Sequence, residues 1–276
     1  MIHAPVRSLL FAPANRADFI AKFGRVAADA FAIDLEDGLA PTARPDARVD
    51  LADIVGAARA AADPRARIWV RVNAASTIDH AMDCEAAAAC GCDGIVLSKA
   101  ESAEEVERTA TATGLPVLGG IESVAGVYAA DGIAGAAALG VFFGAEDYAA
   151  DLGGVRTPGG EEVLYPRSLV AMAARRAGVP ALDLVTVDIR DEARFDRDAQ
   201  SGRALGYTGK MCVTPAQVVR ANAAYRPHPD AIAAARRLVD AYAEAKTKGL
   251  GAIDFEGRMI DEPLARQAEA ILLAAE

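Results

Sequence analysis

Eight short apolar runs, each followed by a longer Ala-rich stretch, constrain this chain more than any other feature. The runs fall at 8–12, 30–35, 68–73, 94–98, 116–121, 141–144, 184–189 and 209–213. They are apolar throughout rather than alternating, which suits parallel strands covered on both faces. Between them, 17–28, 45–61, 78–89, 102–113, 124–134, 168–177 and 192–205 carry helical periodicity. Strict β–α alternation leaves a closed barrel or an open doubly wound sheet. An open sheet normally places a Gly-rich phosphate loop after its first strand, and Phe11-Ala12-Pro13-Ala14-Asn15-Arg16 is not one. The expected fold is α/β, a (β/α)8 TIM barrel with a C-terminal helical extension. The barrel is assigned to 1–224 and the extension to 225–276.

After the eighth strand the chain reads as helices at 216–224 and 230–246, broken by Arg226-Pro227-His228-Pro229. Lys248-Gly249-Leu250-Gly251 turns into 252–260, and a helix at 263–275 closes the chain. The extension is expected to clamp the barrel bottom, or to act as a lid or subunit-exchange arm.

A formal net charge of −10 disfavours nucleic acid and anionic membranes as partners. The apolar fraction of 53% with 25% charged residues is globular composition. No stretch reaches the roughly 18 apolar residues of a membrane span, and Arg7 interrupts the N-terminal apolar run, so a cytoplasmic protein is expected. Cys84, Cys90, Cys92 and Cys212 match no zinc spacing and read as buried thiols.

Catalytic groups of such barrels gather at the C-terminal ends of the strands. Here those ends read Asp34-Leu35-Glu36-Asp37, Arg71-Val72-Asn73, Ser98-Lys99-Ala100-Glu101, Glu122, Glu146-Asp147 and Asp188, while strand eight carries Lys210 near its start. Glu122 and Asp147, from adjacent strands, would repel unless a cation lay between them. Oxygen-only ligands point to Mg²⁺, with Mn²⁺ as the alternative. The bland alternative is salt bridging to Arg71 and Lys99. Arg71 should point into the mouth, to pair with a carboxylate or hold an oxyanion, or simply to neutralise the acids. Lys99 and Lys210 leave a Schiff-base aldolase open. His3, His80 and His228 organise no site, and no G-x-S-x-G elbow occurs.

Seven segments in order carry a family likeness. They are Arg7-Ser8-Leu9-Leu10-Phe11-Ala12-Pro13, Asp34-Leu35-Glu36-Asp37, Val70-Arg71-Val72-Asn73, residues 120–127 (GIESVAGV), Phe143-Gly144-Ala145-Glu146-Asp147, Gly209-Lys210 and Gly257-Arg258-Met259-Ile260-Asp261. Together they resemble the citrate lyase β-subunit-like family of CoA-ester lyases, within the phosphoenolpyruvate/pyruvate TIM-barrel superfamily. The resemblance implies cleavage of a 3-hydroxyacyl-CoA (citryl-, malyl- or citramalyl-CoA) to acetyl-CoA and a 2-oxo acid. It implies Mg²⁺ on Glu122 and Asp147, and substrate contacts from Arg71, Glu122, Ala145 and Glu146. It also implies a homotrimer or a dimer of trimers. Coenzyme A, as part of the substrate, would rest on Arg16, Lys22 and Arg25. Arg71, Glu256 and Asp37 are the catalytic candidates, with Asp261 a further possible base. The chain departs from the family pattern at Ala14 (often Gly), Ser98 (often Pro), Val213-Thr214-Pro215 (usually Ile-His-Pro) and Glu256 (usually Asp). Two other readings stand beside the lyase. One is a CoA-independent metal aldolase acting on a 2-oxo-4-hydroxy acid. The other is a non-catalytic acyl-CoA-binding subunit of a larger complex.

Overall fold

The computed structural model describes residues 6–275; His3 lies outside them. Eight parallel strands close into one barrel in sequence order. They are β1 (Ser8–Pro13), β2 (Ala30–Asp34), β3 (Arg67–Val72), β4 (Gly94–Leu97), β5 (Val117–Ile121), β6 (Gly140–Phe143), β7 (Ala181–Asp183) and β8 (Gly209–Cys212). The ring is sealed by pairing of β1 with β8, Ser8 opposite Lys210 and Leu10 opposite Cys212.

Leu9, Ala32, Trp69, Val96, Leu118, Phe142, Leu182 and Met211, one from each strand, pack into a single buried cluster. A cluster drawing on all eight strands of a closed barrel is its lumen. Small Ala30 and Ala32 share this cluster with bulky Trp69, the register partner of Ala32, and Phe142, so side chains fill the interior without a pore. Side chains two residues on share a face. Asp34, Arg71, Ser98, Gly120 and Gly144 therefore continue the lumen rows of Ala32, Trp69, Val96, Leu118 and Phe142 upward, and Glu122 lies one step above Gly120. The lumen is apolar below and charged at its C-terminal mouth.

The outer layer is α1 (Ala17–Ile20), α2 (Arg44–Val49), α3 (Leu51–Ala61), α4 (Asp79–Ala89), α5 (Ala103–Thr113), α6 (Val124–Tyr128), α7 (Ala130–Ala136), α8 (Ala145–Leu152), α9 (Glu161–Ala177), α10 (Glu192–Leu205) and α11 (Pro215–Ala224). The first expected helix, 17–28, forms only α1 and a 3₁₀ turn at Phe23–Arg25. Close backbone packing explains the break, because a Cβ on Gly24 would sit 2.4 Å from the Ala61 carbonyl oxygen. The expected helices 45–61 and 124–134 are each divided, at Asp50 and Ala129. Helix α8 escapes the periodicity reading because it is one short element following directly on β6.

The expected seventh strand, 184–189, is displaced: β7 is Ala181–Asp183. Side chains intercept the backbone beyond it. Lys210 Nζ donates to the Leu184 carbonyl at 2.7 Å, and the Gln217 amide donates to the Thr186 carbonyl at 2.8 Å. Asp188, expected at the end of the strand, is instead exposed in the loop that follows.

The chain divides into two compact units, the second beginning at Ala224. This second unit holds α12 (Pro229–Thr247), an antiparallel hairpin of β9 (Ala252–Phe255) and β10 (Arg258–Asp261), and α13 (Glu262–Leu273). Tyr242, Ile260 and Ala265 form its small core. Among the described residues no helix is long and apolar enough to cross a membrane.

Candidate active site

The mouth is organised around a chain of opposite charges. Asp34, at the end of β2, receives the Arg71 guanidinium in a fork, Nε at 2.7 Å and Nη2 at 2.5 Å. Two backbone N–H groups, from Glu36 and Gly38, donate to the same carboxylate at 2.9 Å each. The loop after β2 therefore folds back over its own aspartate, and Gly38 is required there: a Cβ would lie 2.3 Å from Asp34 Oδ2. Arg71 Nη1 stands 3.0 Å from Glu36 Oε2, and its guanidinium lies 4.8 Å from the centre of the Phe11 ring. Burial weakens the charge of Arg71, but Asp34, Glu36 and Glu122 outweigh that and raise its pKa.

Lys99 joins this half of the mouth to the next. Its ammonium pairs closely with Glu36, lies 3.1 Å from Asp37 Oδ2, and 3.4 Å from Asp147 Oδ1. Its backbone is left-handed, with φ 50°, a region a lysine seldom adopts. That turn aims the Lys99 N–H at Glu122 Oε1, 3.1 Å away.

Glu122 follows β5 and is buried. Desolvation pushes its carboxyl up to about 8; Glu36 and Asp147 push the same way, while Arg71 opposes them. Two glycines make room for it. A Cβ at Gly144 would lie 2.5 Å from Glu122 Oε2, and one at Gly120 would lie 2.6 Å from Oε1. Asp147 stands in the first turn of α8 rather than at a strand end, and is 40% exposed. Ala145 begins that helix, so its first N–H groups and positive dipole end face the mouth. Glu146 is turned to Arg156, whose Nε donates at 2.9 Å.

The donor set suits a hard divalent cation. Both candidate ligands are carboxylates, and a positive charge would relieve the strain that holds Glu122 protonated. Buried Ser98 Oγ, on the lumen row below the mouth, has no hydrogen-bond partner, a polar demand that the waters of a hydrated cation can meet. Among the described residues no three His, Cys, Asp or Glu side chains converge as a metal cage. Mg²⁺ binds through one or two carboxylates with water and substrate completing the shell, so a pair fits it and a cage is not needed.

The structure thus brings together Arg71, Glu122, Asp147, Asp37 and Lys99. It does not gather the three basic residues expected for coenzyme A. Arg16 is exposed, forks onto Asp18 at 2.8 and 2.9 Å, and lies over the Phe19 ring, which Lys22 shares. Arg25 is beside Gly24, packed against the C-terminal end of α3, at the barrel end opposite the mouth. Glu256 belongs to the second unit, at the β9–β10 turn, with φ 53° and its carboxylate 3.1 Å from Arg237. Asp261 caps α13, accepting the Leu264 N–H. Lys210 is buried on the outer face of β8, opposite to Met211 in the lumen, and contacts Asp183 at 3.7 Å. Neither lysine suits a Schiff base: Lys210 cannot reach the mouth, and Glu36 holds the Lys99 amine protonated. His80 is fixed outside the barrel, Nδ1 2.9 Å from the Asn73 carbonyl oxygen.

Sequence reasoning passed over Asp34 as the clamp on Arg71, and Lys99 as the hub. Gly120 and Gly144, placed within or just after strands, were the available signal for Glu122. A glycine there marks close approach of another group.

Comparison with known proteins agrees with this geometry. The profile of the HpcH/HpaI aldolase/citrate lyase family matches residues 7–215. A citrate lyase subunit beta-like protein of Deinococcus radiodurans is 44% identical, over 98% of this chain and 97% of its own length. A crystal structure of protein CitE from Mycobacterium tuberculosis in complex with magnesium, acetoacetate and coenzyme A superposes with a TM-score of 0.84. It is 36% identical and covers 99% of both chains. The citrate lyase beta subunit from M. tuberculosis, complexed with oxaloacetate and magnesium, gives a TM-score of 0.72 at 37% identity, over 82% of this chain and 99% of that one. With a matching profile across most of the barrel and relatives along nearly its whole length, this chain belongs to the HpcH/HpaI aldolase/citrate lyase family.

Proposed function

We propose that this protein is a Mg²⁺-dependent carbon–carbon lyase that cleaves a 3-hydroxyacyl-CoA of the citryl, malyl or citramalyl type into acetyl-CoA and a 2-oxo acid. The observation that carries the proposal is the buried Glu122 carboxylate, raised toward neutrality beside Asp147 and held in place by Lys99 and two glycines. The magnesium, acetoacetate, oxaloacetate and coenzyme A bound by the M. tuberculosis proteins support the substrate class.

Glu122 and Asp147 would hold the cation, which, when bound, supplies Lewis-acid polarisation of the oxygen that becomes the ketone. Arg71, fixed in orientation by the Asp34 fork, keeps spare N–H groups on Nη1 and Nη2 for the substrate carboxylate or that same oxygen. The first turn of α8, with Ala145 and Glu146, favours an anionic group at the mouth. A base removes the proton of the 3-hydroxyl; the C2–C3 bond breaks; its electron pair passes to the thioester α-carbon, which then takes up a proton. Asp37, exposed and 3.1 Å from Lys99, is the base candidate of the barrel. Glu256, exposed at its hairpin turn, is the candidate from the second unit, delivered by a neighbouring subunit of a trimer-based assembly.

Assays of citryl-, malyl- and citramalyl-CoA with Mg²⁺ test the reading. Acetyl-CoA release from at least one of them, abolished by excess EDTA, is expected. Turnover that persists in EDTA overturns it. One observation favours a second reading: Arg16, Lys22 and Arg25 do not form a basic rim. A metal aldolase acting on free 2-oxo-4-hydroxy acids would show aldol cleavage with no coenzyme A binding by calorimetry.

A further inference from the structure

At the end of α4 the chain reads Cys90-Gly91-Cys92 before entering β4. Both sulfurs lie against one acceptor, the Ala87 carbonyl oxygen, with Cys90 Sγ at 3.2 Å and Cys92 Sγ at 3.8 Å. A shared acceptor places the two thiols side by side at the end of the helix. Cys90 closes the helix in a right-handed turn (φ −85°, ψ −9°) and Gly91 is left-handed, φ 76°. That sequence of conformations folds the chain back on itself, drawing the two cysteine Cα atoms toward the span of about 4.4–6.8 Å that a disulfide bridges. Only glycine adopts the central conformation freely, and nothing lies within 4 Å of its missing side chain, so the turn has room to adjust.

The surroundings single out this pair from the other thiols. Cys90 and Cys92 retain 7% and 6% exposure, against 2% for Cys84 and 0% for Cys212. Arg59 Nη2 donates to the Gly91 carbonyl at 3.0 Å and to Asp93 Oδ1 at 2.9 Å, placing a guanidinium beside the turn. The neighbouring Cys92 thiol lowers that of Cys90, opposed by burial and aided by Arg59. Burial raises Cys84 to about 11 and Cys212 to about 12. Thiolate character and a neighbouring thiol decide which cysteines close to a disulfide, and the Cys90–Cys92 turn alone among the four cysteines offers both.

We propose that Cys90 and Cys92 form a dithiol site that closes to a reversible intramolecular disulfide when a hydroperoxide is the oxidant. The Cys90 thiolate attacks one peroxide oxygen; the O–O bond breaks; an alcohol or water leaves with the proton, and Cys90 becomes a sulfenic acid. Cys92 then attacks the Cys90 sulfur and expels water. Two thiols and one hydroperoxide give one disulfide, one alcohol and one water, with two electrons passing from sulfur to oxygen. A dithiol reductant reverses it. The site lies outside the barrel mouth and is independent of the lyase reading.

The full-length protein, reduced and then exposed to hydrogen peroxide, is digested with trypsin without reduction. Residues 72–99 fall in one peptide, since Arg71 and Lys99 bound it. A loss of 2 Da in that peptide is expected, with Cys84 the one cysteine in it still alkylated, and dithiothreitol restoring all three. Cys90→Ser and Cys92→Ser should each abolish the mass loss. Reduced wild-type protein should also bind one phenylarsine oxide with loss of two titratable thiols, a measurement that needs no variant. Gain of 32 Da on a single cysteine in place of the 2 Da loss, oxidation of Cys84 and Cys212 at the same rate, or no arsenical uptake by the folded protein would each overturn the proposal.

Discussion

The backbone N–H of Lys99 donates to Glu122 Oε1 at 3.1 Å while the same residue's ammonium binds Glu36 and Asp37, so one left-handed lysine ties three strand ends of the mouth together. Lys99→Met keeps the stem and removes the charge, leaving Glu36 and Asp37 to repel each other and Asp147. Activity on the active CoA ester should fall by about 10²-fold, the scale of removing one preorganised electrostatic group. Wild-type kcat/KM in this variant would show that Lys99 is not part of the machinery.

Arg71 should be the more costly loss. Arg71→Ala is expected to lower kcat by about 10²–10³-fold, as for removal of an oxyanion donor. Arg71→Lys should recover little of it, because one ammonium cannot reproduce the fork that Asp34 receives. Steady-state kinetics of the two variants check this; full rescue by lysine would reduce the role of Arg71 to charge balance.

Proton and metal should compete at Glu122. Its carboxyl is raised from the ordinary 4.5 to about 8, chiefly by desolvation. Between these values the folded, metal-free protein holds a proton that the unfolded chain does not. This group's contribution to stability is therefore full below about 4.5 and is lost as pH rises through about 8. Mg²⁺ must displace the proton, so its affinity should weaken by about tenfold per pH unit below that point and level off above it. Calorimetric titration at pH 6, 7, 8 and 9 reads this slope directly. A flat profile, or unchanged Mg²⁺ affinity in Glu122→Gln, would remove Glu122 from the metal site.

Gly144 offers a test of geometry alone. Its φ of −95° suits any residue, so Gly144→Ala carries no backbone strain. The added Cβ would meet three atoms of the Glu122 side chain at 2.5–2.8 Å and must displace its carboxylate. A misplacement of this size costs on the order of 10²-fold in rate, with Mg²⁺ affinity falling in parallel. Retained affinity in the variant would place the metal elsewhere.

The buried pair of Arg167 and Asp183 should matter for stability rather than chemistry. The guanidinium forks onto the carboxylate at 2.8 and 2.6 Å on the outer side of β7. Arg167→Leu removes the fork from a buried carboxylate that Lys210, 3.7 Å away, compensates only in part, a change that costs up to about 3–5 kcal/mol. Denaturant unfolding should show that loss, while kcat per folded molecule stays within a few-fold of wild type.

Much of this was legible from residue order. Arg71 and Glu122 stand at the C-terminal ends of apolar runs, and the structure keeps both at the mouth. The seventh strand was not legible, because Lys210 and Gln217, distant in sequence, take the carbonyls of Leu184 and Thr186 out of the ladder. Nor was the fate of Arg25, which follows from a helix cut short by contact between Gly24 and Ala61.

By itself the sequence determined the barrel, because apolar runs too short for helices must each bury both faces, eight β–α units match a closed ring, and the first strand lacks the Gly-rich loop of an open doubly wound sheet. It also determined that acids and Arg71 would meet at one end, since parallel strands put every C-terminus on the same side. Only the tertiary structure decided how those charges are used. Whether a lysine neutralises Glu122 or merely hydrogen-bonds it, and whether Asp34 or substrate claims Arg71, depend on backbone turns and glycine-lined clearances. Those are set by contacts between residues far apart in the chain, to which local periodicity is blind.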